Sequence, residues 1–372
     1  MNTVIPATIG MSLTEVDTPA LLVDLDSLEH NISVLAAYCD EHKIDLRAHA
    51  KTHKSVAIAR QQIDHGAVGI CCQKVSEAEV FVKKGIKNIL ITNQVIGELK
   101  IMKLASLARM SRIGVCVDDP GNIAELNRIA SEQDVQLNVL IELNVGGGRC
   151  GIHSKKTLIL MAQKIAKASH LDFGGLQAYH GRAQHIYDYR LRRQAIKLAI
   201  DKVSACKDLL LSNGYNCRSI TGAGTGTYPF ETNSGLYTEL QCGSYVFMDA
   251  DYGKIYMHDK QFINTFENSL FVLTTIMSKT DNTRAICDAG LKAHSIDSGP
   301  PIVCDARSVE YVASSDEHGV LHDPENVLRL GDKLQLIPGH CDPTVNMHNW
   351  YIGIRKNRVE QIWPVSARGM LT

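Results

Sequence analysis

The sequence predicts an α/β fold in which a (β/α)8 barrel is joined to a C-terminal β-rich domain. Two observations predict it. From about residue 25 to 252, eight strand-like runs alternate with amphipathic helical patterns, as repeated β/α units around a parallel sheet do. From Phe262 to Thr372 the texture changes to short β-type runs parted by turn signals, with no long helical periodicity. An open doubly wound sheet competes with the barrel, since strand count alone does not close a sheet. The domains so drawn are 25–252 for the barrel and 1–24 plus 253–372 for the β-rich domain.

The elements follow in order. Pro19–Asp24 reads as a strand; with eight already in the barrel, it is assigned to the β domain. Asp26 with Glu29 reads as a capping box for a helix whose apolar positions are Leu28, Ile32, Leu35 and Cys39. Barrel strands are expected at Asp45–Ala50, Ala67–Cys72, Asn88–Thr92, Arg112–Val117, Leu137–Leu143, Phe173–Tyr179, Arg218–Gly222 and Glu239–Met248. Helical patterns between them include Ser76–Lys84, Gly97–Ala108, Asn122–Glu132, Lys155–Ala168 and Tyr189–Asn213. The later β runs are Leu270–Met277, Arg284–Asp288, Val309–Val312, Lys333–Ile337, Trp350–Ile354 and Val359–Trp363.

Composition narrows the function classes. The chain has 372 residues, 45% hydrophobic and 21% charged, enough for a full core. A net charge of -1 gives no support for a nucleic-acid or membrane-surface partner. No apolar run approaches the ~20 residues needed to span a bilayer. Met1–Glu15 has no basic segment of the kind that opens a signal peptide. The 11 cysteines are odd in number and form no C-x-x-C pair, so they read as reduced thiols in a cytoplasmic enzyme.

Five segments carry candidate chemistry. In Arg47-Ala48-His49-Ala50-Lys51-Thr52-His53-Lys54, strand alternation puts Arg47, His49 and Lys51 on one face, and Lys54 on the other. A lysine among cations loses its proton more readily, so Lys51 is a candidate Schiff-base nucleophile; a solvated basic edge strand is the competing reading. Thr221-Gly222-Ala223-Gly224-Thr225-Gly226-Thr227 follows the seventh barrel strand, where its N–H groups and hydroxyls suit a phosphate, or form a tight turn. It lacks the lysine of a nucleotide-binding P-loop. Asn144–Gly151 either aims Arg149 from a glycine-rich loop or is a flexible surface loop. Tyr179–His185 brings His180 and His185 to the end of the sixth strand as acid/base candidates, against structural histidines. In Pro338–Thr344, His340 and Asp342 are two apart, a half-site for Mn²⁺, Mg²⁺ or Zn²⁺ or a chance pair. A phosphate cradle, a lysine and an arginine at one barrel rim together suit pyridoxal phosphate.

These segments resemble the metal-activated, fold-type III pyridoxal-phosphate enzymes, which include D-threonine aldolase and 3-hydroxy-D-aspartate aldolase, with D-serine dehydratases as relatives. The resemblance runs over nearly the whole chain. It includes Asp17-Thr18-Pro19, His49-Ala50-Lys51, Cys71–Glu77, Gly148-Arg149-Cys150-Gly151, Gln177-Ala178-Tyr179, Gly224-Thr225-Gly226, Glu239–Tyr245, Asp249–Gly253, Asp316–Gly319 and Pro338–Thr344.

The resemblance implies an alanine-racemase-like barrel with Lys51 as the cofactor lysine. Gln73, Tyr179, Thr225, Gly243, Ser244 and Tyr252 match positions around the cofactor, mostly at its phosphate end, beside Gly224 of the cradle. Arg149 matches the arginine facing the pyridine nitrogen, His185 the proposed base, and His340 with Asp342 the metal pair. His180 is the second base candidate, or orients substrate. Dehydratases carry His-x-Cys at the metal site; here a carboxylate two after His340 favours Mn²⁺ or Mg²⁺, with Co²⁺ or Zn²⁺ as alternatives. The expected reaction is therefore cleavage of a D-3-hydroxy amino acid to glycine and an aldehyde, glyoxylate or acetaldehyde. Elimination of water, or a non-catalytic cofactor carrier, is the alternative. The family also implies a homodimer.

Substrate identity divides the chain. Pro338–Tyr351 and Trp363–Gly369 look most like 3-hydroxy-D-aspartate aldolase, whereas Tyr179-His180-Gly181 and Glu267–Leu270 look more like D-threonine aldolase. A substrate β-carboxylate needs a nearby cation, for which Arg182 and His348 are the candidates.

Overall fold

The computed structural model describes residues 4–256, 265–304 and 308–372. Phe262, where the second texture begins in the sequence, lies outside them. The first strand β1 (Ala20–Asp24) leads into α1 (Leu25–His42). Alternating units then follow: β2 (Asp45–His49), α2 (Val56–Asp64), β3 (Gly69–Cys72), α3 (Val75–Lys83), β4 (Asn88–Gln94), α4 (Glu98–Ala108), β5 (Arg112–Val117) and α5 (Pro120–Glu132). They continue through β6 (Leu137–Glu142), α6 (Lys155–Lys167), β7 (Leu171–Ala178), α7 (Tyr189–Ser212), β8 (Ser219–Gly222), α8 (Tyr228–Asn233) and β9 (Glu239–Leu240).

Strands β2 to β9 form a closed barrel, all parallel; β9 returns to β2 through Asp45 opposite Glu239 and Leu46 opposite Leu240. Closure rules out the open doubly wound sheet. The rest of the chain builds a nine-stranded sheet from β10 (Leu270–Ser278), β11 (Arg284–Cys287), β12 (Ile302–Val303), β13 (Glu310–Ser314), β14 (Gly319–His322), β15 (Lys333–Ile337), β16 (Trp350–Arg355) and β17 (Arg358–Pro364), with one short helix, α9 (Cys341–Val345). The ninth strand is β1, which lies between β10, antiparallel, and β16, parallel. Among the described residues, no helix is long and apolar enough to cross a membrane.

The barrel interior is divided by polarity. On the side of β3 to β6, Cys71, Leu90, Cys116 and Leu140 form an apolar layer. On the opposite side a polar ladder runs along the barrel. Gln177 donates to Gln241 at 2.9 Å, and Gln241 donates to Thr221 at 2.8 Å. Thr221 donates to Glu239 at 2.8 Å, and Arg47 Nη2 lies 2.9 Å from Glu239. The ladder ends where Arg47 Nη1 donates to Asn88 at 2.8 Å. Each side chain of the ladder thereby has at least one partner in a space that could not hydrate it.

Four sequence expectations change. The first helix is capped by Asp24, which accepts from Ser27 N at 2.9 Å, because burial of Leu25 starts the helix two residues earlier. Asp26 and Glu29 instead bind Arg355. The last barrel strand is only β9; beyond it the chain turns into a short 3₁₀ segment, Ser244–Val246, over the barrel mouth. Helix α2 has a buried stripe interrupted by Gln62, which donates to Tyr245 Oη at 3.1 Å, so apolar periodicity alone does not reveal it. Arg47 shares the interior with His49 but belongs to the opposite end of the barrel, so it is not a neighbour of Lys51. Two residues of strand advance about 6.6 Å, enough to change layers.

The Arg47–Glu239 pair is nearly dry. Arg47→Met is expected to lower the unfolding free energy by about 3–5 kcal/mol, by leaving Glu239 uncompensated. Arg47→Met combined with Glu239→Leu should recover most of it. Urea denaturation of the three proteins checks this, and a stable single variant would show the charge to be solvated.

Candidate active site

A cavity of about 530 Å³ opens where the barrel strands end at their C-termini. It is lined by Lys51 after β2, Gln73 after β3, Arg149 after β6, Tyr179 and His185 after β7, Gly224 and Thr225 after β8, Gly243 and Ser244 after β9, and Tyr252. His180, His340 and Asp342 stand outside this lining.

Lys51 is half-buried and contacts the carboxylate of Asp342. The expectation that neighbouring cations would ease off its proton fails. Desolvation and the nearby carboxylate oppose each other, and Asp342 wins, holding Lys51 protonated and its own carboxyl well below the usual range. His49 bears the cost: burial and the Lys51 charge keep its imidazole neutral. Its Nδ1 accepts from Lys51 N at 3.3 Å, while Nε2 lies 2.9 Å from Thr92 Oγ1 and 3.0 Å from the Gln73 amide. Gln73 is itself anchored, its N–H donating to Glu77 Oε2 at 2.8 Å. Lys54 takes the other oxygen of Glu77 at 2.8 Å, buried and away from the cavity.

The loop 221–227 is packed from beneath by Gln184. A Cβ on Gly224 would sit 2.6 Å from Gln184 Oε1 and would push that amide off its bonds to the loop. Gly226 N donates to that oxygen at 3.0 Å, and Gln184 Nε2 donates to Thr227 Oγ1 at 2.9 Å. Thr227 in turn donates to buried Glu231 at 2.9 Å. Thr225 Oγ1 is left buried with no partner, which is what an anion-binding hydroxyl needs. Burial pushes the Glu231 carboxyl up to about 8, so the cradle rests on a neutral acid at neutral pH.

Arg149 lies 6.0 Å from the Tyr179 ring, on a loop tied by Asn144 Oδ1 to the N–H groups of Gly146 and Gly148, and by Asp118 to Gly151 N at 2.8 Å. His185 Nδ1 faces Asp251 Oδ2 at 2.6 Å, and Tyr187 donates to the other oxygen at 2.5 Å. The Asp251 bond raises the imidazole pKa against the effect of burial. With Nδ1–H held by a carboxylate, Nε2 is the free basic nitrogen. His180 has a different post: its Nδ1 accepts from Ala183 N at 3.3 Å, and its ring lies against Gly146.

His340 and Asp342 are not on a strand. His340 is the N-cap of α9 and Asp342 lies in its first turn. His340 Nδ1 is 2.8 Å from Asp297 Oδ2, which fixes the ring and leaves Nε2 for a ligand. Among the described residues no group of three or more His, Cys, Asp and Glu is gathered for a metal, so this pair supplies at most two protein ligands. Local sequence pattern gives Asp251, Glu77 and Gln184 no role. Asp251 stood in a segment shared with the family, but nothing local links it to a histidine 66 residues away.

Comparison with known proteins places the geometry. The alanine racemase N-terminal domain matches residues 23–251, and a serine dehydratase domain matches 269–354. The chain is 47% identical to 3-hydroxy-D-aspartate aldolase of Paracoccus denitrificans (strain Pd 1222), over 98% of this chain and 95% of the other. It is 43% identical to D-threonine aldolase of an Arthrobacter species, over 98% of this chain and 96% of that one. The crystal structure of D-threonine aldolase from Filomicrobium marinum superposes with a TM-score of 0.96 at 43% identity, covering 99% of this chain and 100% of that one.

The buried acid beneath the loop makes stability depend on pH. Folding favours protonated Glu231, so its contribution is full below the unfolded value of 4.5 and is lost as pH rises through about 8. Glu231→Gln should flatten that part of the stability curve, measured by thermal unfolding across about pH 5 to 9. An unchanged slope would mean the carboxyl is ionised in the native state.

Proposed function

This chain belongs to the alanine racemase N-terminal domain family, among the fold-type III pyridoxal-phosphate enzymes, and from that premise we propose that it is an aldolase cleaving D-3-hydroxy amino acids to glycine and an aldehyde. Its substrates are 3-hydroxy-D-aspartate, D-threonine or both. The observation that carries this reading is convergence: Lys51, Arg149, the unpartnered Thr225 hydroxyl and Asp251-held His185 border one cavity, with Asp342 reaching Lys51.

The unpartnered Thr225 hydroxyl suits the cofactor's phosphate, and His340 with Asp342 offers an imidazole and a carboxylate as two ligands for a metal. Thr225, Gly224, Gly243, Ser244 and Tyr252 would hold the cofactor phosphate, and Lys51 would bind its aldehyde carbon. Arg149, permanently cationic, would keep the pyridine nitrogen unprotonated. His340 and Asp342 would hold a divalent ion, Mn²⁺ or Mg²⁺ by the carboxylate's hardness, with positions left open for substrate oxygen. When bound, the cofactor supplies a sink for the electron pair freed at Cα and the metal acidifies the 3-hydroxyl. His185 Nε2 takes the hydroxyl proton, the Cα–Cβ bond breaks, an aldehyde leaves, and a proton returns to Cα to give glycine. Asp251 keeps the imidazole oriented and stabilises it once protonated. His180, packed on Gly146, orients the loop that carries Arg149. The eleven free cysteines support a cytoplasmic location, and the family resemblance supports a homodimer.

A product assay tests the reading. Glycine with glyoxylate or acetaldehyde is expected from 3-hydroxy-D-aspartate or D-threonine, falling about a hundredfold or more on chelation and returning with Mn²⁺. Ammonia with a keto acid would establish elimination, and full activity without metal would remove the role given to His340 and Asp342.

Asp251→Asn tests the base. It should lower kcat by about a hundredfold or more. Because Asp251 raises the His185 pKa, its loss should also move the acid limb of kcat/KM to lower pH. An acid limb that stays in place would take the base role from His185.

A further inference from the structure

We propose that Arg182 receives a carboxylate on the substrate's Cβ, so that the site is built for 3-hydroxy-D-aspartate in preference to D-threonine; this deepens the aldolase reading and rests on it. Arg182 lies on a short 3₁₀ segment, Gly181–His185, at the cavity rim. In a 3₁₀ helix, side chains three apart eclipse, so Arg182 and His185 project in the same direction. A base that acts on the 3-hydroxyl must lie beside Cβ. A group aligned with it therefore meets the other substituent of Cβ, and the α-carboxylate is one bond further off.

The guanidinium is placed in advance. Its Nη2, Cζ and Nη1 lie 3.6, 3.7 and 3.7 Å from the point where a Cβ on Gly148 would stand. Near-equal distances mean that its plane rests face-on against the loop, so its N–H edges point away from it. Among the described residues, no carboxylate pairs with it. The other cations at the cavity have duties: Lys51 contacts Asp342, and Arg149 lies by Tyr179. Among the described residues the one carboxylate lining the cavity, Glu142, accepts from Gln94 Nε2 at 2.5 Å. His348, the rival cation from the sequence, is occupied, its Nε2 being 2.6 Å from Ala293 O, and burial lowers its pKa to about 4. A planar, unpaired fork at that place is suited to a carboxylate, whereas a methyl group offers it nothing.

The test compares Arg182→Gln, Arg182→Lys and the unaltered holoenzyme on both 3-hydroxy-D-aspartates and D-threonine. For Arg182→Gln, kcat/KM on a 3-hydroxy-D-aspartate should fall about tenfold to a hundredfold, chiefly through KM, with D-threonine changing less than about threefold. Arg182→Lys should recover part of the loss. D-Aspartate, which has no 3-hydroxyl to be cleaved, should bind about tenfold or more weakly to Arg182→Gln while D-alanine is unaffected, read from cofactor absorbance. Equal losses on both substrates would assign Arg182 to the α-carboxylate or to loop packing and overturn the proposal. No loss on either would overturn it as well. An unaltered enzyme releasing glycine from none of the substrates would overturn the aldolase reading itself, a result distinct from a changed ratio between substrates.

Discussion

Asp342 meets Lys51 from 291 residues away, and that meeting fixes the barrel's lysine against the region of the second sheet. A half-buried ammonium beside a buried imidazole is costly unless a carboxylate stands next to it. The carboxylate comes from the second sheet's region, so the barrel cannot complete the lysine's surroundings alone. Other bonds hold the same join. Tyr351 Oη donates to His53 O at 2.6 Å, and Ala367 N donates to Lys54 O at 2.9 Å. Cys341 N donates to Asp249 Oδ2 at 3.0 Å. The Lys51 loop is thus clamped from above by the sheet and from below by His49.

The barrel's polarity follows from the same need. One half of the interior is apolar and packs as a core does, while the other carries a hydrogen-bonded ladder that surfaces in the cavity floor at Gln177 and Gln241. Beneath the phosphate loop, Gln184, Thr227 and Glu231 form a second satisfied chain. The neutral Glu231 lets the loop stand on an acid without setting a negative charge against an anion. The segment from His180 to His185 serves several walls at once: His180 packs on Gly146, Arg182 on Gly148, Gln184 under Gly224, and His185 on Asp251.

Much of the barrel was legible because each strand is a separate run bounded by helical periodicity. Its closure was not, since pairing of β9 with β2 leaves no local trace. Glu239–Met248 looked like one strand because its apolar residues serve a loop buried over the mouth. Helix α2 stayed hidden because a buried glutamine broke its stripe. At the site, lysine, arginine and glycine-rich loops could be read from residue type, and family resemblance sorted them. The charge state of Lys51 could not be read: its near neighbours in sequence are cations, while its neighbour in space is a carboxylate.

The sequence by itself determined the alternation of strands and helices, the change to β texture, and the reactive side chains, because those rest on local spacing and chemistry. Only the tertiary structure decided which charges meet. It paired Lys51 with Asp342, His185 with Asp251 and Lys54 with Glu77, and sent Arg47 to the far end of the barrel. Pairing depends on distance through space, and burial makes it compulsory; neither is written in the order of residues.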